Sequence, residues 1–167
     1  MIQYSMIRIK SQRLTEVNLP RKEKSIGNQD QKREASMSKI VDVINELSDL
    51  LSTGAADSEV IAGAEKELGL TFAPEYKEYL STFGSVIAED VEITGIAKAK
   101  SRDVVLVTKR EWELNPQVNH NMYVVENLAI DGIIIWQDEV GHIYESMPYK
   151  EVKKVADSLA EYILSQR

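Results

Sequence analysis

Residues 64–84, AEKELGLTFAPEYKEYLSTFG, decide how the rest of the chain is read. Upstream of and within this stretch, Val60, Ile61, Ala64 and Leu68 recur at helical spacing, so a helix is expected from about Glu59 to Leu68. Asp57 or Ser58 offers an acceptor for the free amides of its first turn. Gly69 suits the left-handed position after the helix, and Leu70 can fold back as the apolar partner of that cap. Pro74 then opens a second helix, where its missing N–H is no loss. Tyr76, Tyr79, Leu80 and Phe83 follow at i, i+3, i+4 and i+7, and Gly84 ends the run. A stripe of this kind is expected to pack against a sheet; a ligand platform is the competing reading.

Working outward, Ile40, Ile44, Leu47 and Leu51 predict an amphipathic helix over 39–52, with Ser38 as N-cap and Gly54 past its end. Downstream the chain turns strand-like. Val91 to Ala97 reads as β, with Gly95 as a bulge or point of close approach. Asp103 to Leu114 is mixed: Val104 to Thr108 is β-branched, yet Asp103 can cap a helix carrying Val104, Val107 and Trp112, and Asn115-Pro116 follows, which favours helix. Met122 to Leu128, Ile133 to Gln137 and Gly141 to Glu145 read as successive antiparallel strands, with turns at Asp131-Gly132 and at Asp138 to Gly141. Ile133-Ile134-Ile135 does not alternate, so this strand is expected to be central and covered on both faces. A last helix starts near Asp157 or Ser158 and carries Leu159, Tyr162 and Ile163. Helices and strands are segregated along the chain, with no internal repeat. The expected class is α+β: N-terminal helices packed on a mostly antiparallel sheet, with a C-terminal helix.

The 167 residues suit one domain, and 43% hydrophobic with 28% charged residues suit a globular, water-facing one. With no cysteine, disulfides, thiolate catalysis and cysteine-bound zinc are excluded. No apolar run approaches the length of a membrane helix, and Ile2 to Ile9, broken by Arg8, lacks the pattern of a signal peptide. The expected location is the cytoplasm. Charge is split: residues 1–36 hold eight Lys/Arg against four Asp/Glu, and residues 37–167 hold twelve against twenty-three, a net of −11. Residues 10–36 are polar without periodicity, which predicts a disordered basic extension ahead of a single domain at 37–167. Met37 stands directly before the first helix, and Lys32-Arg33-Glu34 can be encoded by a purine run resembling a ribosome-binding site, so translation is expected to start at Met37. Four net charges without interleaved aromatics are a weak nucleic-acid arm. An acidic body repels nucleic acid and anionic lipid and attracts basic proteins.

Motifs that carry chemistry are missing. His120 and His142 have no second histidine or carboxylate at a motif spacing; an exposed turn histidine is the ordinary reading of His142, and a chance cation site with the nearby Asp138-Glu139 is the competing one. The eight glycines form no phosphate loop, and there is no G-x-S-x-G elbow. Glu89-Asp90 and Asp138-Glu139 read as acidic turns and not as a glycosidase pair across a cleft. These features predict a binder without catalytic, cofactor or metal residues.

The stretch at 64–84 resembles the signature of the SUKH superfamily, which includes Smi/Knr-type cell-wall regulators of yeast and many bacterial immunity proteins. The matching residues are Glu65, Lys66, Leu68, Gly69, Pro74, Tyr76, Tyr79, Leu80, Phe83 and Gly84. Ile135-Trp136-Gln137-Asp138, Gly141-His142-Ile143-Tyr144 and the closing Ala156-Asp157-Ser158-Leu159 with Tyr162 are similar to later family elements. One departure is Ala73 before Pro74, where the family often places an apolar residue directly before the proline; here Phe72 stands one position further back. The resemblance covers about Val41 to Leu164 and implies fold more directly than function, since every matched residue is one the fold itself needs. It implies an immunity protein, or antitoxin, that occludes a basic toxin, such as a nuclease, encoded nearby. The alternative is an intracellular interaction scaffold or regulator with no toxin. An enzyme of unrecognised type would need a deep pocket with convergent polar groups. The expected partner-binding residues are the acids Glu89, Asp90, Glu92, Asp138 and Glu139 with the aromatics Trp136 and Tyr144; Trp112 is a further candidate anchor. Core burial is the competing reading for both tryptophans, and ordinary solubilising surface is the competing reading for the acids.

Overall fold

The computed structural model describes residues 39–88 and 91–167. Residues 39–45 are helical (α1). In chain order there follow β1 (Leu51–Ser52), α2 (Ser58–Leu68), α3 (Pro74–Phe83), β2 (Val86–Ile87), β3 (Glu92–Ile93), α4 (Val104–Leu114), β4 (Met122–Asn127), β5 (Ile134–Asp138), β6 (Ile143–Ser146), β7 (Lys153–Ala156) and α5 (Leu159–Ser165). The strands form two antiparallel sheets, β1-β2-β3 and β4-β5-β6-β7. The Thr94 N–H donates to Val125 O at 2.9 Å and stitches the edge of the small sheet to β4. The α+β class read from the sequence is the observed one.

The helix–link–helix unit folds as its local signals dictate. Gly69 sits at φ 70°, and both its N–H and that of Leu70 reach Glu65 O, closing α2. The Glu65 carboxylate accepts the Phe72 N–H at 2.8 Å and pairs with Lys77 Nζ at 2.7 Å, so one side chain fixes the link to α3. The aromatic stripe is core. Tyr76 and Tyr79 are wholly buried, with hydroxyls donating to Thr94 O at 2.9 Å and Ile93 O at 3.0 Å. Tyr76 also lies against Tyr123, ring centroids 4.8 Å apart.

The central sheet is covered on both sides. Tyr123, Val125 and Ile135 point into the main core with α1, α2, α3 and α5. Val124, Ile134 and Trp136 point into a smaller one with Val107 of α4 and Val118. That is the two-sided burial expected of the isoleucine run, although Ile133 itself precedes the strand. A bulge between Val124 and Glu126 breaks the register of β4 with β5. It places Glu126 opposite Ile135, on the main-core face, where strict alternation would have put it beside Val124 and Trp136.

Two expectations about elements need correction. The helix expected over 39–52 is helical only at 39–45; Asp49 adopts φ 53°, and Leu51–Ser52 leave to pair with β2. Thr53 holds that departure, its Oγ1 accepting the Ser85 N–H at 2.9 Å and donating to Ile96 O at 3.0 Å, so tertiary pairing overrides the helical pattern. The strand expected over 91–97 shrinks to Glu92–Ile93, because Gly95 leaves the ladder to press on the Gly84 carbonyl. Strand β7 was not anticipated. The expected N-cap Ser38 lies outside the described residues.

Candidate functional site

Among the described residues, the acids and aromatics expected to bind a partner are not gathered on one face. Glu92 is on β3, exposed, 3.8 Å from Arg102 Nε, and its own N–H donates to Glu126 Oε1 at 3.1 Å. Asp138 closes β5 opposite Met122, at the other end of β4 from Glu126. Met122 and Glu126 are four residue steps apart along β4, roughly 13 Å. Glu92 and the Asp138-Glu139 pair therefore mark opposite ends of the sheet. Glu89 and Asp90 lie outside the described residues.

Of the aromatics, Trp136 is wholly buried and donates its indole N–H to Ser146 Oγ at 2.8 Å. Of its two readings from sequence, the position supports core packing. Trp112 is half-buried, bonds Met122 O at 3.0 Å and stacks on His120 at 4.5 Å between ring centroids. Tyr144 is half-buried and joins the Asp138 turn.

Among the described residues, that turn is the place where expected site residues meet. Asp138 Oδ1 accepts the amides of Val140, Gly141 and His142 at 3.1, 2.8 and 2.9 Å. Its Oδ2 accepts the Tyr144 hydroxyl at 3.1 Å and lies 3.2 Å from His142 Nδ1. Partial burial works to raise the Asp138 pKa, but the bonds from His142, Gly141 and Tyr144 outweigh it and hold the carboxyl below its ordinary value. Burial, followed by the adjacent Asp138 charge, raises the Tyr144 hydroxyl. Asp138 is thus saturated, a hub that shapes the turn. What the turn presents outward is exposed Glu139 and Val140, the latter 69% exposed.

Beside the turn lies a groove of about 380 Å³, bordered by Pro74, Lys77, Glu139, Val140 and Asp157. It joins three distant segments: the link into α3, the β5–β6 turn and the start of α5. Glu75 holds them in place. Its carboxylate, buried, accepts Leu159 N–H at 2.7 Å and Ala160 N–H at 3.1 Å, capping α5 from another helix. Ser158 Oγ accepts Glu161 N–H, and Glu161 Oε2 accepts Asp157 N–H, completing the cap. At the other side of α5, Tyr162 donates to Glu126 Oε2 at 2.6 Å. Burial dominates for both carboxyls and raises their pKa, against the bonds from Leu159 and Ala160 on Glu75 and from Tyr162 and Glu92 on Glu126.

Sequence reading passed over Glu75 and Glu126. Glu75 directly follows the helix-opening proline, where an acid is ordinary, and only the fold brings its partners to it. The turn and groove can bind shape and charge. Among the described residues no group of three or more His, Cys, Asp or Glu is placed to hold a metal ion, and no helix is long and apolar enough to cross a membrane.

A family model described as SMI1-KNR4 cell-wall, one of the SUKH families, matches residues 37–166. No curated protein matches the chain. The match spans most of the sequence, including the helix–link–helix unit, the sheet with its Asp138 turn and the clamped closing helix, and on this basis the chain belongs to the SUKH family.

Proposed function

We propose that the chain is an immunity protein that binds and neutralises a cognate toxin encoded by a neighbouring gene, by occlusion. The family includes immunity proteins and cell-wall regulators, and its members often bind partner proteins. The observation that carries the reading is how the acids are employed. Glu75, Glu126 and Asp138 are consumed inside the molecule, bonded to backbone amides and hydroxyls. Most of the remaining acids stay at the surface of a domain whose net charge is −11 over residues 37–167. Such a body accelerates encounter with a basic partner and discourages binding to nucleic acid. A nuclease, whose substrate groove must be basic, fits that description.

The test is co-expression with the product of the adjacent gene. Growth should be rescued, and the purified complex should weaken at least about tenfold as salt rises from about 0.05 to about 0.5 M. Failure of both protection and complex formation removes the immunity reading. Salt-independent binding removes the electrostatic part and leaves occlusion. The cell-wall wording of the matched family favours a second reading, a regulator without a toxin partner. An adjacent gene with no toxic product selects it.

A further inference from the structure

The end of the four-stranded sheet opposite the Asp138 turn is built unlike the rest of the surface. The register Asn127↔Ile134↔Ser146 brings the loops at 128–133 and 147–152 to that one end. Gly132 abuts Pro148 so closely that a Cβ there would stand 2.9 Å from Pro148 Cγ. The C-terminus of α4 arrives alongside, and Leu114 and Tyr149 line a common groove of about 540 Å³. Tyr149 is fully exposed, and Leu114 and Ile130 are 67% and 63% exposed. Among the described residues, four non-glycines have positive φ, and three of them are here: Ala129 at 54°, Asp131 at 50° and Tyr149 at 62°. Side chains with a Cβ rarely adopt this conformation, and the strain gathers where apolar groups are held out in water, an arrangement from which folding alone gains nothing.

We propose that this end, centred on Tyr149, Leu114 and Ile130, is where a basic protein partner docks, inserting an apolar side chain flanked by lysine or arginine. The proposal rests on the partner-binding role inferred above and names its surface. A tyrosine is an efficient anchor, since only two side-chain torsions are frozen when it is covered. Charge argues for the partner's sign: Lys150 and Glu151 line the groove, Glu113 and Asp131 adjoin Leu114 and Ile130 in sequence, and the domain carries a net charge of −11. A second copy of the chain would bring two bodies of net −11 together, so charge opposes self-association here.

The experiment places a photo-crosslinking residue in the full chain in its own cells, as Tyr149→benzoylphenylalanine or Ile130→benzoylphenylalanine. Controls carry it at Leu51 or Val60, which are exposed elsewhere. One discrete adduct with a basic protein is expected from both test positions, at least about tenfold above the controls. The yield should fall by a similar factor when Leu114→Ser is added, with the melting temperature unchanged. No adduct, equal adducts at all four positions, an acidic partner, or an adduct of two copies of this chain would each overturn the proposal. If the adduct is not the neighbouring gene's product, the toxin reading fails and the docking end stands. If the chain protects against that product yet gives no adduct, the docking end fails and the toxin reading stands.

Discussion

Glu75 concentrates the residue-scale consequences, because one buried carboxylate holds two amides of a helix 84 and 85 positions away. Glu75→Ala strands both donors in the core, and a loss of about 3 kcal/mol is expected in chemical denaturation. Glu75→Gln keeps an acceptor and should lose less than half of that. Loss of α5 without loss of global stability would contradict this account. Glu75 and Glu126 also set a pH dependence. Both folded pKa values lie above 4.5, chiefly through burial, so the stability each contributes is fully present below about 4.5 and is lost as pH rises through the folded value. Asp138 acts in the opposite sense. Its folded value lies below 3.8, so its contribution is present above that and is lost as pH falls through the folded value. Stability should therefore peak in mild acid, and the urea midpoint should decline as pH rises above about 4.5 through the folded values. The double variant Glu75→Gln, Glu126→Gln should flatten that decline. A midpoint rising steadily over the same range would refute the assignment.

Gly95 carries the prediction at the scale of elements. Its absent Cβ lets the chain leaving β3 cross the end of α3, where the Gly84 carbonyl oxygen occupies the space a side chain would need and Leu80 Cδ2 stands 3.1 Å away. The Ile96 N–H donates to that same carbonyl at 3.0 Å, so the oxygen cannot swing aside without losing its bond. Gly95→Ala is expected to destabilise the domain by about 3 kcal/mol, and Gly69→Ala, strained only by its φ of 70°, by about 1 kcal/mol. Equal effects would mean that crowding at Gly95 is relieved more easily than its backbone neighbour allows. The same contrast explains what was legible from sequence. Gly69, Pro74, Gly84 and the cap at Asp103, whose carboxylate accepts the Leu106 N–H, act on residues a few positions away, and each was readable. Strand β7 was not, because Lys153 and Lys154 carry no apolar pattern; as an edge strand its sequence is free to be charged, and pairing with β6 alone defines it. Strands β1 and β2 exist through mutual pairing and the Thr53 clamp. The candidate site was harder still. Asp138 and Tyr144 do meet, but Glu92 lies at the far end of β4 and Trp136 inside the core, since neither burial nor distance between strands is written in one residue's type.

For the molecule as a whole, charge and domain boundary meet in one deletion. The family match begins at residue 37, and the first core side chains are Ile40, Val43 and Ile44 of α1, wholly or almost wholly buried. Every buried group described above has its partner within the matched span. A chain starting at Met37 is therefore expected to fold, with a melting temperature within about 2 °C of the full chain, a difference well under 1 kcal/mol for a domain of this size. The deletion also removes eight basic and four acidic residues, taking the net charge from −7 to −11. If a basic partner is drawn in by the field of the whole chain, the shorter form should associate faster at low salt and show a steeper salt dependence, while dissociation stays unchanged. Slower association after the deletion would mean that residues 1–36 take part in capture themselves, and the acidic body alone would no longer account for the encounter.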